Sequence, residues 1–264
     1  MADAMEQVVS DLAGEQEALD RLVAGLDDAG WAVDTPAAGW NVADQISHLA
    51  YFDEKAARSV TDPEGFAAEV AALMASDDPW GLEEEIMARG RAMSGTDRLG
   101  WWREARQGLH SAMRGLDPDE RVPWYGPPMR AYSSAQARLM ETWAHGQDVA
   151  DALGVEYPAG DRIHHVAELG IKTFSWSFRN RGLPAPEQRV RVVLRGSSGR
   201  VWVWNEGCDA NITGPLRDFC LVVTQRRHHA DTRLVIQGGL ARRWMQIAQA
   251  YAGPPGPGRP RSGE

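Results

Sequence analysis

The chain has 264 residues and a formal net charge of −9, with a pI near 5.3, long enough for one large or two modest domains that each bury a core. Hydrophobic content is ordinary for a globular protein, and no run of 18 apolar residues occurs, so a membrane span is not expected. An acidic chain lacks the concentrated basic face that phosphate backbones require, which argues against general nucleic-acid binding. The first twenty residues, MADAMEQVVSDLAGEQEALD, are acidic and amphipathic, unlike the basic start and apolar middle of a signal peptide, and a cytoplasmic location is expected. Cys208 and Cys220 stand 12 apart with no CxxC pair; they read as packed free thiols rather than a disulfide framework or a cysteine zinc site. Charge is uneven: residues 1–100 carry 21 acidic and 6 basic side chains, residues 186–264 carry 6 and 12, which points to two units with different surfaces.

In chain order, Val8, Val9, Leu12, Leu19, Leu22, Val23 and Leu26 give residues 3–28 a helical apolar face, stopped at Asp27-Asp28-Ala29-Gly30. Asn41 is a good N-cap for a second helix running to about Val60, with Asp44 at its third position and Val42, Ile46, Leu49 and Phe52 as its stripe. Residues 62–95 read as weaker helical pieces interrupted by Asp78-Pro79-Trp80-Gly81. Thr96 or Asp97 is expected to cap a third long helix through Leu116, and the prolines of PWYGPPMR make a connector. Ser133 or Ser134 is expected to open a fourth long helix that Gly154 ends. Beyond Pro158 the pattern becomes a helix near 162–178, strands at 188–196 and 200–207 joined by a Ser-Ser-Gly turn, further strands in ANIT and RLVIQG, and helices at 215–224 and 239–251. The fold class expected is α+β: a four-helix bundle over 1–157, a small α+β domain over 158–252, and a disordered or loosely tethered Pro/Gly-rich tail over 253–264.

Two stretches carry candidate chemistry. METWAHGQDVADALG places Glu141, His145 and Asp148 at i, i+4 and i+7, one face of the fourth helix. His48 lies beside the apolar stripe of the second helix; joined to Glu141 and His145 it would make a His/Glu/His set suited to zinc or another divalent ion, with positions left for water or substrate. On spacing alone, E-x-x-x-H is more often a solvated or capping pair than a ligand pair. Asp44, four before His48, could accept that ring's second N–H, against a competing job in the helix cap.

WNVADQISHL followed about 90 residues later by ETWAHGQDVADALG resembles the metal-site signature of the mycothiol-dependent maleylpyruvate isomerase branch of the DinB-like four-helix-bundle superfamily. The resemblance spans residues 1 to about 155. It implies His48, Glu141 and His145 as metal ligands, with Asp148 supporting them by hydrogen bonding from behind rather than ligating. Many DinB-like members have a third histidine where Glu141 stands. The bundle followed by a small α+β unit also resembles members with a sterol-carrier-like C-terminal domain, by element order more than by motif, and MQIAQAYAGPPGPGR is similar to actinobacterial relatives of unassigned chemistry. The metal site therefore transfers better than the substrate does.

The resemblance implies a zinc-dependent enzyme, a transferase or isomerase, that lowers the pKa of a low-molecular-weight thiol such as mycothiol for attack on a small electrophile. A non-catalytic ligand carrier or sensor, and a metal-dependent hydrolase with Asp148 as base, are the alternatives. A monomer or homodimer is expected. Arg89, Arg91, Arg138, Arg242 and Arg243 are candidates for orienting carboxylates. Trp40, Trp101, Trp102 and Trp143 are candidates for lining a pocket, although a bundle needs large core residues anyway. His110, His164-His165 and His228-His229 have no partner at ligand spacing.

Overall fold

A computed structural model describes residues 2–76, 78, 81–158 and 160–263; Pro79 and Trp80 of the expected helix break lie outside the described residues. The chain divides into two compact units, Met1–Tyr157 and Pro158–Glu264. Helix and sheet segregate between them in the α+β manner, the first unit being almost wholly helical.

The first unit is built on four long helices, α1 (Ala2–Val23), α3 (Val42–Thr61), α6 (Gly95–Met113) and α7 (Ala131–Leu153), with short α2 (Asp28–Trp31), α4 (Pro63–Met74) and α5 (Leu82–Arg91) between them. Helix α3 packs on α6 and α7, and α1 packs on α7 and α6, so the apolar stripes meet in one core of Val8, Leu12, Leu19, Ile46, Leu49, Trp102, Leu109, Leu139 and Trp143. The start of α3 is fixed locally by a complete capping box: Asp44 N donates to Asn41 Oδ1 at 2.9 Å and Asn41 N to Asp44 Oδ2 at 3.0 Å. Ser94, rather than Thr96 or Asp97, caps α6, its hydroxyl accepting from Asp97 N at 3.1 Å. Helix α7 begins at Ala131, two residues before the expected serines, directly after a short antiparallel ladder of β1 (Arg121–Val122) and β2 (Met129–Arg130). Gly154, in the left-handed region at φ 67°, ends it. Helix α5 lies so close to α3 that a Cβ on Gly90 would sit 1.9 Å from Ser47 Oγ, which is why that position is glycine.

Below the core's apolar layer runs a buried polar one. Arg138 Nε on α7 donates to Asp53 Oδ1 on α3 at 2.8 Å, with side chains 4% and 0% exposed. Asp53 Oδ2 accepts from Gln16 Nε2 on α1 at 2.9 Å and from Trp102 Nε1 on α6 at 3.2 Å. One carboxylate thus joins all four long helices, and breaking it would leave a buried charge uncompensated.

In the second unit, β3 (Arg191–Arg195) and β4 (Val201–Trp204) form the expected hairpin, β5 (Asn211–Pro215) runs parallel to β3, and β6 (Val235–Gln237) is antiparallel to β5, giving the order β4-β3-β5-β6. Val192 and Leu194 of β3 are buried beneath α10 (Leu216–Val223). The helix expected over 162–178 is broken at Thr173 into α8 (His164–Lys172) and α9 (Phe174–Arg179). Helix α11 (Gly239–Ile247) closes the unit, its Trp244 meeting Phe174 and Phe219 edge-on. The C-terminal stretch, expected to be loosely tethered, makes several bonds to the second unit: Asn180 Nδ2 donates to Gly253 O at 3.0 Å, Arg181 Nη2 to Gly256 O at 2.8 Å, and Ser262 N to Asp231 Oδ2 at 2.8 Å. No described helix is long and apolar enough to cross a membrane.

Candidate metal centre

Helix periodicity stacks Glu141 and His145 on the face of α7 that meets α3, and α3 presents His48 to them. Glu141 Oε2 lies 3.2 Å from His145 Nε2 and 3.8 Å from His48 Nε2. The three side chains offer one ligand atom each within 4.8 Å of one another, the one such group of His, Cys, Asp and Glu among the described residues. A tetrahedral ion bound at about 2.0–2.2 Å needs ligand atoms about 3.3–3.6 Å apart, so the donor set fits a divalent ion with small side-chain adjustment. The side chains of His48, Glu141 and His145 are 20%, 25% and 10% exposed, which leaves one side of the group open. Burial alone would push the Glu141 carboxyl up, but the two adjacent imidazoles outweigh it and hold it well below the usual carboxylate range.

Behind these three side chains stands a residue the motif did not announce. Gln45, wholly buried one turn before His48, hydrogen-bonds through Oε1 to His145 Nδ1. Its amide is oriented by what lies beyond: Thr35 Oγ1 donates to Trp40 O at 2.8 Å and so must accept from Gln45 Nε2, at 2.9 Å. With Oε1 the only atom left to face the ring, His145 Nδ1 carries a proton, and Nε2 is left towards Glu141, 3.2 Å from its Oε2. The clue in the sequence was a glutamine set between Val42 and Ile46 in an apolar stripe, a polar group that burial obliges to find a partner. Trp40 closes the same side, its ring 5.3 Å from His48 and stacked at 5.8 Å on His145.

Asp44, expected behind His48, is engaged in the helix cap and an ion pair: its carboxylate receives Arg91 in two bonds, Nε at 2.9 Å and Nη2 at 2.7 Å, as well as Asn41 N. Asp148 is buried one turn beyond His145. Of the candidate arginines, Arg91 belongs to Asp44, Arg138 to Asp53, and Arg89 lies over the Trp101 ring at 3.9 Å, with Glu54 at 3.9 Å. Arg242 and Arg243 are exposed on α11. Of the candidate tryptophans, Trp40 reaches His48 and His145, and Trp102 and Trp143 are core residues. His110 Nε2 lies 2.6 Å from Gln16 Oε1 inside the buried network. Aromatic neighbours the sequence reading did not single out continue from the site: Phe52 packs on His48 at 4.6 Å and meets Trp124 at 6.2 Å and Tyr125 at 5.8 Å.

The comparisons agree with this architecture. Two uncharacterized proteins from two strains of Mycobacterium tuberculosis are each 44% identical over 252 residues, covering 95% of this chain and 97% of theirs. The crystal structure of the mycothiol-dependent maleylpyruvate isomerase is similar at a TM-score of 0.59 and 16% identity, covering 88% of this chain and 92% of that one. A histidine-to-alanine mutant of that enzyme gives 0.59 and 17%, covering 84% and 89%. At such identity the likeness is one of fold. The sequence model of the mycothiol maleylpyruvate isomerase N-terminal domain matches residues 12–150, more than half of the chain, spanning His48, Glu141 and His145: the chain belongs to the mycothiol maleylpyruvate isomerase N-terminal domain family.

Proposed function

We propose that His48, Glu141 and His145 hold one divalent ion, zinc suiting two imidazoles and a carboxylate, and that the protein activates mycothiol or a similar thiol for attack on a small electrophile, as an isomerase or S-transferase. The observation that carries the reading is the convergence of three ligand atoms on a half-open face of the bundle. Family membership and the activity named for the solved neighbours support the thiol and the reaction type. When bound, such an ion supplies Lewis acidity that makes a thiolate available at neutral pH.

The chain's own residues do the rest. Glu141 stays ionised beside the imidazoles, Gln45 fixes the proton on His145 Nδ1, and Trp40 walls one side against water. Asp148 is assigned a supporting role behind His145. The first unit contains no cysteine, which supports a small-molecule thiol as the source of the sulfur.

Metal analysis of purified protein is expected to find about one divalent ion per chain, most of it lost in His145→Ala. Stoichiometric metal in the His48→Ala/His145→Ala double variant would overturn the ligand assignment. In cobalt-loaded protein, mycothiol is expected to change the visible and near-ultraviolet absorption, and Cys208→Ser and Cys220→Ser to leave that change intact. A spectrum indifferent to millimolar thiol would remove the isomerase or transferase reading while keeping the metal.

A further inference from the structure

Resting on that reading, we infer that Phe52, Trp124 and Tyr125 form the seat for the electrophile, and that this molecule is apolar and aromatic or extensively conjugated rather than a small dicarboxylate. The ring of Phe52 touches the imidazole of His48 at 4.6 Å and leads to Trp124 and Tyr125. A molecule reacting at the ligand group therefore has a row of aromatic faces beside it. These rings are half-buried, unlike Phe66, which is wholly buried and stacked on Trp124 at 6.0 Å as its backing. Adjacent partly exposed aromatic faces next to a polar cluster are the composition of a small-molecule site.

The rings are held in place before any ligand arrives. Trp124 and Tyr125 sit in the loop PWYGPP, whose prolines at 123, 127 and 128 restrict the backbone. The paired residues Val122 and Met129 pin its two ends. Tyr125 is further fixed by its hydroxyl, 3.4 Å from that of Tyr51. An aromatic ligand would meet preset surfaces and lose little binding energy to ordering them.

The ammonium near these rings is paired. Lys55 Nζ lies 5.1 Å from the Tyr51 centroid and is held at 2.5 Å by Glu69, which also takes Arg58. A carboxylate laid against the rings would meet aromatic faces and an ammonium that Glu69 already holds.

The unreactive probe 3-phenylpropanamide, followed by its own NMR signals against the full-length protein, tests this directly. Saturable binding is expected, weakened about tenfold by Phe52→Leu and by Trp124→Leu, kept in Tyr125→Phe, and not displaced by succinate. Circular dichroism identifies any variant that fails to fold, and either leucine variant suffices alone. Absence of saturable binding, unchanged affinity in a folded leucine variant, or displacement by succinate overturns the seat. His145→Ala is expected to keep the probe while losing metal, so a failed seat and a failed metal centre give different results.

Discussion

Helices α3 and α7 carry two polar clusters about one turn apart, and they are built to opposite ends. In the deeper one, Asp53 and Arg138 are buried, and the carboxylate takes bonds from three other long helices. In the shallower one, His48, Glu141 and His145 are partly exposed, with one atom of each within 4.8 Å of the others. The deep cluster ties four helices to one carboxylate and so specifies how they register. The shallow one gathers two imidazoles and a carboxylate on an open face, which is the composition that invites a cation. Buried ionisable groups alone do not mark a site; imidazoles and a carboxylate gathered on an open face do.

The largest expected effect breaks the deep cluster. Asp53→Ala leaves Arg138 without its partner and is expected to cost about 3–5 kcal/mol of stability, measured by denaturant unfolding; a loss under 1 kcal/mol would mean the layer does not register the bundle. Next, Gln45→Leu removes the acceptor behind His145 while filling its volume, and metal affinity should drop about 10–100-fold. Asp148→Asn belongs to the same competition titration against a chelator, and affinities equal to wild type for both variants would contradict their supporting roles. Asp44→Ala sharpens the contrast, since its loss should appear as about 1 kcal/mol of stability from the helix cap with metal affinity nearly unchanged.

The smallest effect is acid-dependent and lies away from both clusters. Burial pushes the Asp20 carboxyl up, but Arg103 at 2.7 Å and Arg106 at 2.6 Å outweigh it and hold it below the usual aspartate value of 3.8. A depressed carboxyl contributes stability in full above the unfolded value and loses it as pH falls through the folded one. Asp20→Asn should therefore lower the unfolding midpoint at pH 7, with the gap to wild type closing as pH falls below 3.8 and through the depressed folded value; a constant gap would assign the contribution to packing instead.

How much the sequence revealed follows from the range of each interaction. The start of α3 was legible because Asn41 and Asp44 cap it within four residues. The start of α6 was misplaced by two residues because Ser94, Thr96 and Asp97 are all adequate caps, and the choice is settled by the Ser94–Asp97 pair, whose hydroxyl also donates to Oδ2 at 2.7 Å. Glu141 and His145 on one face followed from helical spacing, but pairing them with His48 required a resemblance, since nothing local links α3 to α7. Gln45 and the rings of Trp124 and Tyr125 were hidden for the same reason: their partners stand 100 residues away in one case, and across a proline loop in the other. The C-terminal stretch looked loose by composition, yet backbone carbonyls at Gly253 and Gly256 receive side chains from beyond α9.

The division of the ligand group between α3 and α7 makes an ion there a crosslink between segments more than 90 residues apart in the chain. An unfolded chain does not hold those three side chains together, so occupancy and folding are linked. Free metal at 100 times its dissociation constant would add about 2.7 kcal/mol to the stability of the folded state. The melting temperature then becomes a gauge of metal loading, one that responds before any substrate is known.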